Sequence, residues 1–452
     1  MIKESISGIR AYEHDFTEEL ISKYIESFRC ILDPCKVIIG RDSRKSGIKI
    51  SKIVKKYLAS QGVHVLDAGI CPTPTIEFLT KELGYDGGIV ITASHNPLPW
   101  NGLKFINADG TFLNKAQMEK LLKLKRTIEI KREGTKSAEI IEDNKIRRRH
   151  VEYILELKPI DIELIRKKNF RVVIDAVNGA CSETAPELLT EIGCDTIEIN
   201  CDPTKPFPRN PEPLVENLKE LSEKVKESNA DIGFAIDPDG DRLAVVSNEG
   251  LPIGEEYTVV MGIELILSKC SDNSKKNVVV NLSTTQLADI VVKKYNGNIF
   301  RSSVGEINVV ELMKKVNAII GGEGNGGIIY PECHYGRDSL VGIVLILQML
   351  AERNINISEY VNSLPKFYMI KDKIKIKNKD LQNVHKKLEN VKNLLKPDSI
   401  DFTDGIKLLW KNYWLHIRPS NTEPIIRIYS EADNMGFARE LVEKIKDLLK
   451  NE

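Results

Sequence analysis

The sequence has no excess of charge of either sign, because 65 lysines and arginines are matched by 65 aspartates and glutamates among its 452 residues. Proteins that bind the phosphate backbone of nucleic acids usually carry a basic excess, so nucleic acid is not an expected partner. The sequence also lacks any run that approaches the ~18 uncharged apolar residues of a transmembrane helix. The first residues, MIKESISGIRAYEHD, include no apolar signal core. We therefore expect a cytoplasmic protein with no membrane partner.

Cysteine is sparse and irregularly spaced. No Cys-x-x-Cys pair occurs among the eight cysteines, which are Cys30, Cys35, Cys71, Cys181, Cys194, Cys201, Cys270 and Cys333. This spacing fits neither a zinc site nor a disulfide framework, and it predicts reduced thiols. Apolar residues make up 42% and charged residues 29% of the chain, a composition that excludes disordered, collagen-like and small secreted proteins.

A strand–helix–strand pattern occurs three times in the sequence. The strands are short β-branched runs, and the helices are amphipathic stretches. The three copies cover residues 36–40, 47–60 and 63–67, then 171–175, 184–191 and 195–200, then 277–281, 285–295 and 298–304. Because parallel neighbours need helical crossovers, these units predict three α/β domains.

Each unit continues into a third apolar strand that ends in a polar loop. Residues 88–91 lead into TASHNP, 232–236 into DPDGDR, and 318–320 into GGEGNGG. Ligands of open α/β sheets bind beyond the carboxyl ends of the strands. We therefore expect the three loops to lie in equivalent places of three similar domains.

The residues after about 367 follow a different pattern. Ile370, Ile374 and Ile376 alternate with lysines, as in a half-buried strand. The segment WLHIRPSNTEPIIRIYSEA predicts two strands around a polar turn. Residues 434–449 predict an amphipathic helix whose apolar face contains Phe437, Leu441, Ile445 and Leu448.

The predicted fold class is therefore α/β, with three similar mixed-sheet domains and a smaller C-terminal α+β domain. The expected boundaries are residues 1–148, 149–252, 253–366 and 367–452. A basic run at residues 145–150 lies at the first junction. We interpret this run as a solvated helix face rather than a nucleic-acid surface.

The strongest chemical signal is the loop DPDGDR at residues 237–242, which has three carboxylates at alternate positions. Alternate residues of a straight strand lie ~6.6 Å apart, but Pro238 and Gly240 can curl the backbone until the carboxylates meet one hard cation. An EF-hand is excluded, because Arg242 and Asn248 stand at its sixth and twelfth positions. Carboxylates 4 Å apart repel by on the order of 4 kcal/mol per pair. A divalent cation such as Mg²⁺ would compensate this repulsion and suits phosphoryl transfer, whereas a solvated acidic turn is the alternative.

The loop TASHNP at residues 92–97 places Ser94 beside His95. A serine at a strand end is a candidate covalent nucleophile, although no Gly-x-Ser-x-Gly elbow surrounds it. Ordinary turn chemistry is the alternative. Lys104 can return to the same site as a proton donor or phosphate partner, or it is an ordinary surface lysine.

Two further loops suggest a phosphorylated sugar as the ligand. GEGNGG at residues 322–327 satisfies the dinucleotide spacing G-x-G-x-x-G, but Ile-Ile-Tyr-Pro follows where that fingerprint opens a helix. Glu323 and Asn325 suit sugar hydroxyls, which both donate and accept hydrogen bonds.

The turn at residues 418–424 is a candidate phosphate cradle, formed by Arg418, two hydroxyls and backbone amides. The alternative is a turn stabilised by its own side chains. No P-loop is present, so the phosphate is not expected to belong to ATP.

Together these motifs resemble the α-D-phosphohexomutase family over essentially the whole chain. The matching blocks are SGIRAY (7–12), GRDSR (40–44), TASHNP (92–97), NGLKF (101–105), DPDGDR (237–242), GEGNGG (322–327), GRDS (336–339) and RPSNTEP (418–424). The resemblance implies a fold in which three similar α/β domains and a smaller C-terminal domain surround one central cleft. It also implies an isomerase that interconverts hexose 6-phosphate and hexose 1-phosphate, with a hexose 1,6-bisphosphate as intermediate and activator.

The same resemblance implies a role for each candidate residue. Ser94 would be the phosphorylated serine, and one Mg²⁺ per chain would be held by an oxygen on Ser94 together with Asp237, Asp239 and Asp241. Arg10 and Arg242 would stabilise charge on the moving phosphoryl group. The hydroxyl proton would be handled by Lys104 or His95, with Lys104 favoured. The substrate would be bound by Glu323, Asn325, Gly326, Arg418, Ser420, Asn421, Thr422 and Arg427.

The sequence departs from the family pattern at Asn325, where serine is frequent, and at Ser339, where glycine is frequent. The variant resembles an archaeal-type branch with phosphoglucosamine mutases and phosphomannomutase/phosphoglucomutases, and we favour glucosamine phosphate as substrate. A metal-dependent sugar phosphatase or kinase and a non-catalytic sugar-phosphate-binding protein stay open as alternatives. The expected partner is a small phosphosugar, and the chain is expected to be a monomer or homodimer.

Overall fold

The computed structural model of the protein describes residues 2–130, 137–375, 395–419 and 425–450. The strands in this part of the chain are β1 (Ile2–Ser5), β2 (Gly8–Tyr12), β3 (Lys36–Arg41), β4 (His64–Ile70), β5 (Gly87–Ile91), β6 (Trp100–Asn107), β7 (Ile140–Glu142), β8 (Arg171–Asp175), β9 (Asp195–Ile199), β10 (Ile232–Ile236), β11 (Leu243–Ser247), β12 (Asn277–Asn281), β13 (Asn298–Ser302), β14 (Ile320–Glu323), β15 (Gly327–Ile329), β16 (Tyr368–Lys375), β17 (Ser399–Asp401), β18 (Ile406–Leu409), β19 (Trp414–Pro419) and β20 (Ile425–Ala432).

The α-helices of the same residues pack on these strands. They are α1 (Glu18–Leu32), α2 (Lys45–Ser60), α3 (Thr73–Glu82), α4 (Lys115–Thr127), α5 (Arg148–Leu155), α6 (Ile162–Lys168), α7 (Thr184–Glu191), α8 (Lys219–Ser228), α9 (Glu256–Lys269), α10 (Leu287–Lys294), α11 (Glu306–Val316), α12 (Ser339–Arg353), α13 (Ile357–Ser363) and α14 (Met435–Lys450).

Three of the sheets share one four-strand pattern. The first sheet has the order β1-β2-β6-β5-β3-β4-β7, the second β11-β10-β8-β9, and the third β15-β14-β12-β13. In each, a central strand pairs in parallel with two neighbours, and an antiparallel strand follows one of them. The predicted mixed-sheet α/β architecture with three similar domains is confirmed.

This repeat places three polar loops at equivalent positions, each between a parallel strand and its antiparallel partner. They connect β5 to β6, β10 to β11, and β14 to β15. The predicted strand at residues 318–320 is shifted, because β14 runs through Gly321 and Gly322 to Glu323. Gly321 pairs so closely with β12 that a Cβ there would lie 2.5 Å from the carbonyl oxygen of Val279. Only glycine allows the strand to continue through this contact.

The C-terminal domain is an antiparallel sheet with the order β16-β20-β19-β18-β17, on which α14 packs. The predicted helix and α+β class are confirmed. Leu441 and Ile445 are buried as predicted, but Phe437 is 36% exposed, and Val442 and Leu449 complete the buried face. Ile376 lies outside the described residues.

One apolar cluster joins the first three domains, and it runs from Ile38 in β3 to Tyr360 in α13. Helices α9 and α12 lie inside this cluster and are buried along most of their length. The C-terminal domain has a separate apolar cluster. Its contacts with the third domain include polar ones, such as the hydrogen bond between His416 and Ser283.

In the described part of the chain no single helix is long and apolar enough to cross a bilayer. Helices α12 and α13 meet that test only as a pair bent by 81°.

The prediction for the basic run at residues 145–150 was wrong at its last position. Arg148 is exposed and pairs with Glu187 and Glu191, as a solvated helix face would. His150 instead is fully buried, because it faces inward from α5 against the ring of Phe78.

Candidate active site

A cleft of about 500 Å³ lies between the four domains, and each of them contributes to its wall. Arg10 comes from the first domain, Arg242 from the second, Glu323 from the third and Arg418 from the fourth. Four more of the predicted site residues line it as well: His95, Lys104, Asn325 and Arg427. Residues that lie far apart in the sequence thus face one enclosed space.

Ser94 lies in the loop between β5 and β6, with its side chain buried. Its φ of 51° is in the left-handed region, which is costly for a residue other than glycine and is typical of functional sites. Its backbone N–H donates to Oγ1 of Thr92 at 2.8 Å, and the Arg44 guanidinium donates to its carbonyl oxygen at 2.7 Å. Asp42 accepts a hydrogen bond from Thr92 at 2.6 Å and pairs with Arg44. This network fixes the backbone of Ser94 in that conformation.

The acidic loop between β10 and β11 is curled as the sequence predicts. Oδ1 of Asp237 accepts hydrogen bonds from the backbone N–H groups of Gly240, Asp241 and Arg242 at 3.1–3.2 Å. One oxygen from each of Asp237, Asp239 and Asp241 lies within 4.8 Å of the others, and all three side chains are buried. Three buried carboxylates at such distances form a candidate cation site.

The structure brings the serine loop and the acidic loop together. Oγ of Ser94 donates to Oδ2 of Asp237 at 3.3 Å. Nδ1 of His95 lies 3.2 Å from the same Oγ atom. A group on Ser94 can therefore contact both a cation held by the aspartates and a nearby imidazole.

Lys104 and Arg337 compensate part of the negative charge of the acidic loop. Lys104, on β6, donates to Asp239 at 2.7 Å and to Asp241 at 3.2 Å, and Arg337 donates to Asp241 at 2.7 Å. Burial would raise the pKa of Asp241, but Arg337 and Lys104 outweigh it and lower that pKa. Burial, Asp241 and Asp239 raise the pKa of Asp237 well above its usual range. Lys104 and Arg337 thus do not fully compensate the negative charge of Asp237.

Two arginines and a histidine lie around the serine loop. Arg10 donates to Oδ1 of Asn96 at 2.7 Å, and Arg242 pairs with Glu212 at 2.7 Å. Burial, followed by the charges of Arg242 and Arg10, lowers the pKa of His95 well below its ordinary value. His95 is therefore a neutral imidazole at neutral pH, a form that can accept a proton.

Glu323 ends strand β14 and is fixed by its neighbours. Its Oε1 accepts hydrogen bonds from Asn281 at 2.8 Å and from the backbone of Gly305 at 2.9 Å, and its Oε2 accepts one from Arg337 at 3.0 Å. The side-chain oxygen of Asn325 is buried without a hydrogen-bond partner in the described structure. The capacity of this oxygen to accept a hydrogen bond is therefore unused, in a residue that lines the cleft.

Gly326 does not line the cleft, in contrast to the other described residues of the predicted substrate set. Its φ is 90°, and its carbonyl oxygen accepts a hydrogen bond from the backbone of Leu243 at 2.9 Å. A Cβ at this position would collide with that backbone. Gly326 therefore allows the third domain to approach β11 closely, rather than contacting a ligand.

The fourth wall of the cleft is cationic. Arg418 on β19 and Arg427 on β20 are direct partners in the antiparallel register. Arg427 donates to the hydroxyl of Tyr429 at 3.3 Å, and Nη1 of Arg418 is 3.8 Å from Asp404. Nε of Arg418 is buried without a hydrogen-bond partner among the described residues. Ser420, Asn421 and Thr422 lie outside the described residues.

The sequence reasoning assigned no role to Arg337. Its guanidinium contacts Asp241, Glu306 at 3.1 Å and Glu323, and so connects the acidic loop to Glu323. A second missed residue, Lys371 of β16, donates to the carbonyl oxygen of Gly324 at 3.1 Å. The motif GRDS, which occurs at residues 40–43 and again at 336–339, was a signal that could have drawn attention to Arg337.

Comparison with known proteins accounts for this arrangement. Models of the phosphoglucomutase/phosphomannomutase family match four consecutive parts of the chain: α/β/α domain I at residues 3–131, domain II at 148–250, domain III at 254–368 and the C-terminal domain at 373–448. The chain belongs to this family. The predicted resemblance to α-D-phosphohexomutases is thereby confirmed.

Relatives in the family are similar along nearly their whole length. A phosphoglucosamine/phosphogalactosamine mutase of Sulfurisphaera tokodaii is 34% identical over 453 residues, which cover 98% of each chain. A phosphoglucomutase/phosphomannomutase of Thermococcus kodakarensis is 36% identical, and the match covers 90% of this chain and 88% of the relative. These relatives are mutases, which are isomerases, so the predicted enzyme class is confirmed.

A solved structure supports the fold. The crystal structure of a phosphoglucomutase/phosphomannomutase family protein from Burkholderia thailandensis superimposes with a TM-score of 0.85 at 24% identity. The match covers 99% of this chain and 96% of that protein. The fold of this chain is therefore shared with that protein along nearly its whole length.

Proposed function

We propose that this family member is a Mg²⁺-dependent phosphohexomutase that converts hexose 6-phosphate to hexose 1-phosphate, and the reverse, through a phosphoserine at position 94. The observation that carries the proposal is the 3.3 Å approach of Ser94 Oγ to Asp237, directly beside His95 in the wall of a cleft lined by cations. A serine in this place can carry a phosphoryl group that faces both the acidic loop and a substrate.

The acidic loop fits a magnesium ion. Oδ1 of Asp239 and Oδ1 of Asp241 are buried without a hydrogen-bond partner among the described residues, which is costly unless a ligand satisfies them. Carboxylate oxygens are the ligands that Mg²⁺ prefers. Asp237, Asp239 and Asp241 would hold the ion together with an oxygen on Ser94. When bound, Mg²⁺ would neutralise charge that develops on the transferred phosphoryl group.

The chain's own residues carry the transfer. The free hydroxyl oxygen of the sugar forms a bond to the phosphorus on Ser94, and the bond between that phosphorus and Oγ breaks. Lys104 or His95 handles the hydroxyl proton, with Lys104 favoured because it lies in the cleft. Burial would lower the pKa of Lys104, but Asp239 and Asp241 outweigh it and raise that pKa, so the side chain is an ammonium. Lys104 can therefore accept the hydroxyl proton only as it passes one of its own protons to a carboxylate partner. Arg10 and Arg242 stabilise charge on the moving group. The product is a hexose 1,6-bisphosphate, and the reverse transfer of its other phosphate restores phosphoserine.

The remaining predicted residues bind the parts of the substrate that do not react. Arg418 and Arg427 anchor the second phosphate, since guanidinium groups bind phosphate through paired charge-assisted hydrogen bonds. Ser420, Asn421 and Thr422 belong to this proposal by their place in the sequence. Glu323 and Asn325 contact sugar hydroxyls. Because the anchor and Ser94 are on different domains, closure of the cleft can exclude water that would hydrolyse phosphoserine.

The favoured substrate is glucosamine phosphate. Relatives from Sulfurisphaera tokodaii and Methanocaldococcus jannaschii are named for amino-sugar phosphates, and the cleft contains Glu212, Glu256 and Glu323, which can face an ammonium group. The alternative is a phosphomannomutase/phosphoglucomutase, the name given to the Thermococcus kodakarensis relative.

Intact mass and turnover test the proposal together. The purified protein is expected to carry one phosphate that maps to Ser94, and to require traces of a hexose 1,6-bisphosphate. Labelled glucosamine, glucose and mannose 6-phosphates show the substrate preference. A phosphatase would release labelled phosphate to water, whereas a mutase retains it in the sugar pool. Equal turnover by wild type and Ser94→Ala, with matched circular dichroism, would refute the covalent mechanism.

A further inference from the structure

A second group of metal-ligating side chains lies outside the cleft, in the interior where the first three domains meet. It consists of His150 on α5 together with Cys333, His334 and Asp338 from the segment between β15 and α12. All four side chains are buried, and one ligand atom from each lies within 4.8 Å of the others. The proposed mutase mechanism uses none of them.

The distances in this group fit one ion at its centre. Nε2 of His150 and Nε2 of His334 each lie 3.1 Å from Oδ2 of Asp338. Sγ of Cys333 lies 3.5 Å from Nε2 of His150. Tetrahedral zinc with bonds of ~2.0 Å to nitrogen and oxygen and ~2.3 Å to sulfur separates its ligand atoms by about 3.3 and about 3.5 Å. The observed spacing requires little rearrangement to accept such an ion.

The outer nitrogen of His150 has the hydrogen-bond partner that a metal-bound histidine usually has, and that of His334 lies near a carboxylate without bonding to it. Nδ1 of His150 lies 2.9 Å from the hydroxyl of Thr75. Nδ1 of His334 is 3.9 Å from Oε2 of Glu77. Oδ1 of Asp338 accepts hydrogen bonds from the backbone of Leu340 and Val341, which leaves Oδ2 for the centre of the group.

The environment of Glu77 is not explained by ordinary packing. Its side chain is fully buried, and neither carboxylate oxygen has a hydrogen-bond partner in the described part of the chain. A buried carboxylate ion without compensation costs several kcal/mol, and burial accordingly raises the pKa of Glu77 well above its usual range. With Nε2 of His334 bound to a metal ion, the ring proton lies on Nδ1, from which it can be donated to Glu77.

We propose that His150, Cys333, His334 and Asp338 bind one Zn²⁺ ion that fixes the junction of the first three domains. Zn²⁺ is a borderline-soft cation that binds imidazole nitrogen, thiolate sulfur and carboxylate oxygen, whereas Mg²⁺ prefers oxygen ligands alone, so this set of four suits Zn²⁺. Binding transfers the Cys333 proton to solvent. The resulting unit of one dication, one thiolate and one carboxylate is neutral, as a buried site requires.

The ion would position a residue of the cleft without touching substrate. Asp338 directly follows Arg337, the residue that contacts Asp241, Glu306 and Glu323. Thr75 and Glu77 come from α3, and the backbone N–H of Thr73 at the start of α3 donates to Asp239 at 2.8 Å. The ion would thus hold two segments that border the acidic loop.

Cysteine spacing did not indicate this site. Its ligands come from two separate segments, and Cys333 is the one cysteine among them. A spacing rule recognises ligands that are close in sequence, whereas these converge only in the folded chain.

Metal content of the full-length wild-type protein is the first test, and it requires no variant. After dialysis against zinc-free buffer containing Mg²⁺, we expect one Zn²⁺ per chain by mass spectrometry of the metals. Replacement with Co²⁺ is expected to give a thiolate-to-cobalt charge-transfer band. Absence of bound Zn²⁺ after exposure to the ion, or a Co²⁺ spectrum without that band, would overturn the proposal and leave a hydrogen-bonded network.

Variants then assign the ligands. Cys333→Ser is expected to lose the charge-transfer band, and Glu77→Gln to weaken Zn²⁺ binding by about 10–100-fold. Cys71→Ser is the matched control, because Cys71 is also fully buried but lies outside the group. Retention of the band by Cys333→Ser, or its loss in Cys71→Ser, would contradict the assignment.

Thermal unfolding separates this proposal from the catalytic one. Tm is expected to rise with Zn²⁺ and not with equal Mg²⁺ in protein stripped of zinc. Turnover at saturating Mg²⁺ and the phosphate on Ser94 report the mutase mechanism independently. A protein that binds Zn²⁺ without mutase activity, or the reverse, would identify which of the two proposals had failed.

Discussion

Oγ of Ser94 lies 3.3 Å from Oδ2 of Asp237 although 143 positions separate the two residues. The serine is on a loop of the first domain, and the aspartate is on the equivalent loop of the second. Their meeting depends on how the two domains pack, because no local interaction connects the loops. Because of this contact, a change in the charge of the acidic loop alters the environment of Ser94, and a group on Ser94 alters that of Asp237.

Removal of one acidic ligand should reveal the metal requirement. Asp239→Asn is expected to lower turnover about 10²–10³-fold, the usual loss when one charge-stabilising group is removed from an active site. Chelation by EDTA should abolish wild-type turnover, and Mg²⁺ should restore it. The assay is phosphate transfer between hexose phosphates at varied Mg²⁺.

Asp109→Asn is the control for this variant, because Asp109 pairs with exposed Lys314 away from the cleft. Full turnover and an unchanged Mg²⁺ response in Asp239→Asn would remove the acidic loop from the mechanism.

Single-turnover kinetics should distinguish Lys104 from His95. Lys104→Met is expected to slow phosphoryl transfer by about 10²–10⁴-fold, the range for loss of a general acid or base. His95→Gln should slow it less. Lys49→Met, at an exposed position, is the control. The opposite order of the two effects would assign the proton to His95 instead.

The cationic wall of the cleft should determine affinity for the phosphate that does not react. Arg418→Ala is expected to raise KM by about 10–150-fold, because a hydrogen bond to a charged group contributes ~1.5–3 kcal/mol. kcat should change less. Arg418→Lys should be intermediate, since an ammonium keeps the charge but not the planar pair of donors. An unchanged KM in Arg418→Ala would place the anchor elsewhere.

Stability should fall in acid because of His416. This side chain lies between Ser283 of the third domain and the backbone of Asp404, and burial lowers its pKa to about 3. In the unfolded chain the histidine pKa is ~6.5. Between about pH 6.5 and about pH 3 the unfolded chain therefore binds a proton at His416 that the folded chain does not bind. The stabilising contribution is therefore present above about pH 6.5 and is lost as pH falls toward 3, by up to ~1.4 kcal/mol per pH unit.

Urea unfolding at several pH values measures this effect. His416→Gln is expected to have a shallower dependence between pH 6.5 and 4 than the wild type, and His64→Gln, at an exposed position, should keep the wild-type slope. An identical slope in wild type and His416→Gln would show that other groups control the acid response.

Much of the fold could be predicted because its signals are local. Buried strands such as 171–175 and 277–281 are β-branched runs with the observed bounds, and the order strand–helix–strand indicates parallel pairing. The helix at residues 184–191 was also predicted with its observed ends. The apolar residues 318–320 predicted a strand that ends at Ile320, but the observed strand continues through Gly321 and Gly322 to Glu323.

By itself, the sequence determined the elements, the threefold repeat and the chemical character of each loop, because these depend on neighbouring residues and on periodicity. Only the tertiary structure decided which side chains meet. It placed Arg337 between Asp241 and Glu323, turned His150 inward, and left the carboxylate oxygens of Glu77 buried without a hydrogen-bond partner among the described residues. Such contacts result from the packing of separate domains, and the burial that shifts pKa values exists only after that packing has excluded water.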